Sequence, residues 1–209
     1  MDAFLFFTVT YLLAAGAPGA DTMLIVSRTL VGGWRSALRY AIGIALAKTT
    51  MISLAFFGVS ALLTANPAAY TVLKVLGAGF LIFMAVRLWR SKAVAEVASE
   101  GHENQSAKFG AKITTASILG GYLVGISNPQ PLLFYSSIVP MVVAAGLNTL
   151  TDLFILWAIV IIGFIAIAGA YIGAASTIRP WLAKQTNRRR LNQVMAVVFG
   201  VIAALLLLR

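Results

Sequence analysis

The stretch Ala15-Gly16-Ala17-Pro18-Gly19-Ala20-Asp21 decides how this chain is read. It lies inside an apolar run from Ala3 to Val26 that is long enough to cross a bilayer as a helix. Pro18-Gly19 is a helix-breaking pair, and Asp21 is an acid where lipid disfavours charge. Together they mark a helix interrupted at a defined point, with a charge placed at the interruption.

The rest of the chain has the same apolar character. Hydrophobic residues make up 60% and charged residues 11% of 209, with a mean hydropathy of +0.93. Such a composition excludes a soluble domain and describes an integral membrane protein. A hydrocarbon core about 30 Å thick needs roughly 20 helical residues, so this length with short loops allows about six spans. Backbone groups in lipid must be satisfied within the segment, and the strict alternation of a barrel is missing, so the spans are expected to be helices. Met1-Asp2 has no Lys or Arg, and the apolar run continues to Val26, so the first segment reads as a retained span rather than a cleaved signal. The chain has no Cys, hence no disulfide, thiolate metal site or cysteine nucleophile.

Span 1 is expected from Ala3 to Val26, then a short connection with Arg28, Gly32-Gly33, Arg35 and Arg39. Span 2 runs from Ala41 to Leu63 with Lys48 inside it, and Thr64-Ala65-Asn66-Pro67 makes a turn. Span 3 covers Thr71 to Trp89. The hydrophilic segment 90–112, which holds the lone His102, is a linker. Span 5 covers Leu153 to Ser176, residues 179–190 form a basic connection, and span 6 covers Leu191 to Leu208.

The connections after spans 1, 3 and 5, with the span ends that flank them, hold 13 of the 16 Lys and Arg residues, which predicts that they are cytoplasmic and that both termini lie outside. The net charge of +10 therefore belongs to the membrane surface and not to nucleic-acid binding. The whole is a single transmembrane domain, 1–209, with halves 1–89 and 113–209.

The second half opens with a fourth apolar run, Ile113 to Ala145. As one helix it would be about 50 Å long, and it is interrupted by Ser127-Asn128-Pro129-Gln130-Pro131. Two prolines one residue apart cannot both occupy a helix interior, so span 4 is broken there. A shift of 111 residues carries Pro18 onto Pro129 and span 2 roughly onto span 5. Three spans per half gives the halves opposite orientations in the membrane, which predicts a 3+3 inverted-topology repeat with helices 1 and 4 broken. A break frees backbone amides that attract a carboxylate and carbonyls that attract an ammonium, so two facing breaks suit a zwitterion.

Four side chains stand out as candidates for substrate or coupling-ion contact. Asp21 is the one acid within a span core, and Lys48 lies at a similar depth counted from Arg28 and Arg39, which permits a contact. Asn128 and Gln130 flank the second break as neutral amides able to donate and accept. Pro18, Gly19, Pro129 and Pro131 make the breaks themselves. Tyr40, Tyr122 and Tyr135 read as packing or interface residues. Gly43, Gly58, Gly77, Gly79, Gly120, Gly121 and Gly125 read as points of close helix approach. No metal cluster, nucleophile elbow or phosphate loop is present in the sequence, so an enzyme is not expected and no cofactor is implied.

In its ordered motifs the chain resembles the lysine-exporter superfamily of small bacterial amino-acid exporters. The resemblance rests on Pro18-Gly19-Ala20-Asp21, on Gly33, Arg35 and Ala37-Leu38 followed by Gly43, and on Leu73-Lys74 with Gly77-Ala78 and Phe80-Leu81. Asn128-Pro129 followed by Phe134 and Pro140 completes it. Two positions depart from the family pattern, which reads Pro where this chain has Ala20 and Lys where it has Gln130. Lys48 fills a place usually small or apolar.

The resemblance implies proton-driven export of amino acids or related metabolites across a bacterial inner membrane. A small-molecule substrate, protons and the lipid bilayer would be the partners. Small-residue faces permit a homodimer without requiring one. A metal-cation or small-ion exporter on the same scaffold, and a membrane assembly subunit without a substrate, are the alternatives.

Overall fold

The computed structural model describes residues 3–65, 68–90 and 118–208. Among them the chain is all-helical: α1 (Ala3–Gly16), α2 (Ala20–Ala65), α3 (Ala68–Arg90), α4 (Ile118–Ser127), α5 (Pro129–Ala144), α6 (Leu150–Gly173), α7 (Ala175–Ala183) and α8 (Gln185–Leu208). Asn66-Pro67 of the expected turn, and the linker with His102 beyond Arg90, lie outside the described residues.

Both expected interruptions are present. The chain leaves helical geometry at Ala17, Pro18 and Gly19, and again at Asn128. At the second interruption Pro129 and Pro131 become the first and third residues of a new helix. There their missing N–H groups cost nothing, because the first turn has no intrahelical acceptors to offer.

The element α2 is not a straight rod. Gly33 has φ 76° and ψ 168°, outside the helical region and on the side of the map that L side chains rarely adopt. In a straight helix Asp21 and Lys48 would stand about 40 Å apart, yet their side chains touch at 2.7 Å. The arms 20–32 and 34–65 therefore fold back on each other at Gly33. The second arm begins seven residues before the expected start of span 2, because nothing between Trp34 and Tyr40 opposes a helix.

Other boundaries also move. The helix expected from Leu153 starts at Leu150, because Thr149 caps it and exchanges hydrogen bonds with Asp152 in a capping box. The basic segment 179–190, expected as a connection, is helical on both sides of Lys184. Its Arg, Lys, Gln and Leu residues are good helix formers, and Asn187 Nδ2 secures the bend by donating to the Trp181 carbonyl at 2.8 Å.

α2 packs on α4, α5 and α6, while α3 packs on α8 and α5. The core between them is Tyr40, Ile44, Ile52, Phe56, Tyr135, Ile138, Leu156 and Phe164. The crossing of α2 and α4 is backbone to backbone. A Cβ on Gly43 would strike the Ile118 carbonyl, one on Gly121 would strike that of Tyr40, and one on Gly125 would come within 2.7 Å of Ala47 Cβ. Gly77 similarly admits Ser137. Gly58 and Gly79, expected to do the same, face open space instead. Large apolar side chains such as Leu54, Leu76, Phe83, Leu119, Phe154 and Ile162 point outward, as a lipid-facing surface requires.

Among the described residues, α2 and α6 are the helices long and apolar enough to cross a membrane. α1 and α4, at 14 and 10 residues, are too short alone. Each runs directly into another helix across its interruption.

Candidate substrate site

The first interruption is built by Gly19 and Thr22. The Gly19 amide donates to Thr22 Oγ1 at 2.8 Å, and the Thr22 hydroxyl donates back to the Gly19 carbonyl at 3.0 Å. This fixes the start of α2 and places Asp21 in its first turn. The positive end of the helix favours a carboxylate there, and the first-turn amides have no intrahelical acceptor.

Asp21 is buried, and both of its oxygens are engaged. Oδ2 accepts from Lys48 Nζ at 2.7 Å, and Oδ1 accepts from Asn128 Nδ2 at 3.0 Å. Asn128 in turn caps α5, its Oδ1 accepting the Gln130 amide at 3.1 Å. That bond sets the orientation of the carboxamide, so the NH₂ must face the carboxylate. The Lys48 ammonium also lies 4.8 Å from the centre of the Phe164 ring, a cation–π contact from α6. Four helical segments thus converge on one ion pair: both arms of α2, the cap of α5, and α6.

The Asp21 and Lys48 side chains are only 10% and 8% exposed, so this is a desolvated ion pair. Two charges of this kind hold each other in place. Removing either leaves the other buried without compensation, at a cost of about 3–5 kcal/mol.

Gln130 joins through its backbone. Its half-buried side chain makes no hydrogen bond to Asp21, Lys48 or Asn128 among the described residues. The second interruption also lacks the free amides expected of it. Pro129 and Pro131 have no N–H, and the Gln130 amide is already capped. Its anion-binding capacity is spent within the protein.

Two neighbours escaped the sequence reading. Thr22 carried a signal, a hydroxyl three residues after the glycine that precedes the helix. Phe164 carried none, being one aromatic in an apolar run. Two turns from Asp21 toward Gly33, the Arg28 guanidinium lies 4.1 Å from the centre of the Tyr40 ring, with its Nε buried and unpartnered. Tyr122 hydrogen-bonds Thr50 at 3.3 Å between α4 and α2.

Comparison with known proteins gives this arrangement a family. The LysE type translocator model matches residues 12–209. An uncharacterised membrane protein of Vibrio cholerae is 26% identical over 82% of this chain and 85% of its own. A homoserine/homoserine lactone efflux protein of Salmonella typhimurium is 21% identical over 96% and 93%, and a leucine efflux protein of an Enterobacter species is 23% identical over 81% of each chain. No solved structure matches the chain. The chain belongs to the LysE type translocator family and is a multi-pass membrane protein.

Proposed function

We propose that this LysE-type translocator exports small, net-neutral amino acids or related zwitterions across the bacterial inner membrane, coupled to protons. The observation that carries the reading is the buried Asp21–Lys48 pair held at the meeting point of two interrupted helices. The efflux proteins similar to this chain support the direction and the substrate class.

The physics of the pair supplies the mechanism. A zwitterion brings an ammonium for Asp21 and a carboxylate for Lys48. It can insert between them so that no buried charge loses a partner. A lone cation or lone anion would satisfy one member and strand the other. Protonation of Asp21 weakens its hold on Lys48 and Asn128 together, which links a proton to release of the contact between the two halves.

In this reading α1 with the first arm of α2 forms span 1, and α4 with α5 forms span 4. The second arm of α2, α3, α6 and α8 complete six spans as a 3+3 inverted repeat. Two parallels support it: α2 crosses the first piece of broken span 4, and α6 packs on the first piece of broken span 1. Both termini then face the periplasm, and rocking of one half against the other gives alternating access.

The test is efflux from vesicles loaded with labelled neutral amino acids. Asp21→Asn and Lys48→Met are each expected to lower proton-driven efflux about 100-fold. Normal coupled export in both variants overturns the reading.

A further inference from the structure

Two layers of charge lie between the arms of α2. The inner layer is the Asp21–Lys48 pair. Seven residues beyond Asp21 on the first arm, two turns and about 10 Å toward Gly33, stands Arg28. Eight residues before Lys48 on the second arm, about 12 Å in the same direction, stands Tyr40. The two meet, with the guanidinium carbon 4.1 Å from the ring centre. Residues 30–35, beyond this outer layer, are exposed, so Arg28 stands between the open end of the arms and the buried pair.

The layers differ in balance. Asp21 and Lys48 cancel, and theirs is the one ion pair among the described residues, so Arg28 has no carboxylate there. Its side chain is half-buried, one face lies against the Tyr40 ring, and its Nε is shielded from water without a hydrogen-bond partner. A cation withdrawn this far from water is ordinarily paired. An apolar side chain on the Tyr40 ring would pin the arms together without stranding a buried donor. A guanidinium is instead the group that takes a carboxylate through two parallel hydrogen bonds. Both Arg28 and Asp21 act electrostatically on the Tyr40 hydroxyl, which places the two layers in one field.

We infer that Arg28 is a docking residue, holding the carboxylate of the amino acid on the Gly33 side before the substrate moves inward and passes that carboxylate to Lys48. The inference rests on the zwitterion reading above. At about 10 Å the layers are too far apart for one α-amino acid to bridge, so they are occupied in turn. Arg28 asks only for a carboxylate, whereas the inner pair asks for both charges. The outer layer therefore admits small carboxylates in general, and the inner layer rejects those without an ammonium.

Leucine and isocaproate, which is leucine without its amine, are the probes. Binding to the purified protein is read by calorimetry, and leucine efflux is read from proteoliposomes loaded at a series of concentrations. The native protein is expected to bind both probes. Arg28→Gln loses isocaproate binding and raises the KM for leucine efflux about tenfold, with the maximal rate changed less than twofold. Arg28→Lys keeps the charge and gives up the paired hydrogen bonds, so it falls between the two; it carries the comparison alone if Arg28→Gln does not fold. Asp21→Asn weakens leucine binding and leaves isocaproate binding in place. A native protein that does not bind isocaproate, or variants that bind it as well as the native protein, overturn the inference. A lower melting temperature and maximal rate at unchanged KM mark Arg28 as a structural clasp and overturn it as well. If leucine binding survives Asp21→Asn while isocaproate still requires Arg28, the zwitterion reading fails and the carboxylate site at Arg28 stands.

Discussion

The two interrupted helices look alike in sequence and do opposite things. At Pro18 the chain restarts a helix whose first turn carries an acid, so this interruption concentrates charge. At Asn128 the restart is built from two prolines and a self-capping amide, so this interruption is electrically quiet. Asn128 still reaches across and grips Asp21 with its NH₂. One interruption holds charge and the other holds geometry. A matched pair of breaks is thus no guarantee of matched chemistry, and the difference lies in the side chains that the two restarts carry.

The sharpest way to break this contrast is to remove a charge. Lys48→Met leaves Asp21 buried with Asn128 as its remaining side-chain partner. It should destabilise the protein by about 3–5 kcal/mol, read as a loss of melting temperature in detergent. The double variant Asp21→Asn/Lys48→Met should recover part of that loss, since no charge is then stranded. An additive double variant would mean that the two groups do not depend on each other.

Packing around the interruptions should differ as well. On the quiet side, a Cβ at Gly121 meets backbone that cannot move aside, and Gly121→Ala should cost about 1–3 kcal/mol by forcing α4 off α2. On the charged side, the nearest atoms to a Cβ at Gly163 belong to the side chains of Leu12 and Tyr11, which yield more readily than backbone. Gly163→Ala should therefore melt clearly closer to the native protein than Gly121→Ala. Equal losses would remove the distinction between a rigid crossing and a cushioned one.

Smaller effects test the cap itself. Asn128→Ala removes the α5 cap, worth about 1 kcal/mol, together with one donor to Asp21. It should slow efflux while sparing the fold. Pro131→Ala restores one amide at the second interruption and should change stability by no more than about 0.5 kcal/mol. If Pro131→Ala tightens amino-acid binding, the carboxylate sits at α5 and the contrast drawn above is reversed.

Much of this frame was legible before any coordinates. Proline and glycine act locally, so Pro18, Gly19, Pro129 and Pro131 announced both interruptions, and Gly33 marked the reversal. Asp21 and Lys48 were legible as a pair in depth because rise per residue converts sequence distance into height. What lay beyond the sequence was direction around each helix. Gln130 read as well as Asn128, and only the capping bond shows that one points its side chain into the site and the other contributes its amide. Gly58 and Gly79 read like Gly43 for the same reason: small size permits an approach that a neighbour must then make.

The reversal at Gly33 has a mechanical consequence. Asp21 and Lys48 belong to two arms joined through one residue with φ 76°. The arm from Gly33 to Asp21 is about 18 Å long, so a turn of only about 10° at that joint swings the carboxylate by about 3 Å. Such a displacement exceeds the 2.7 Å length of the contact itself. The fold thus contains a lever whose fulcrum is a single glycine and whose tip carries the charge that locks it.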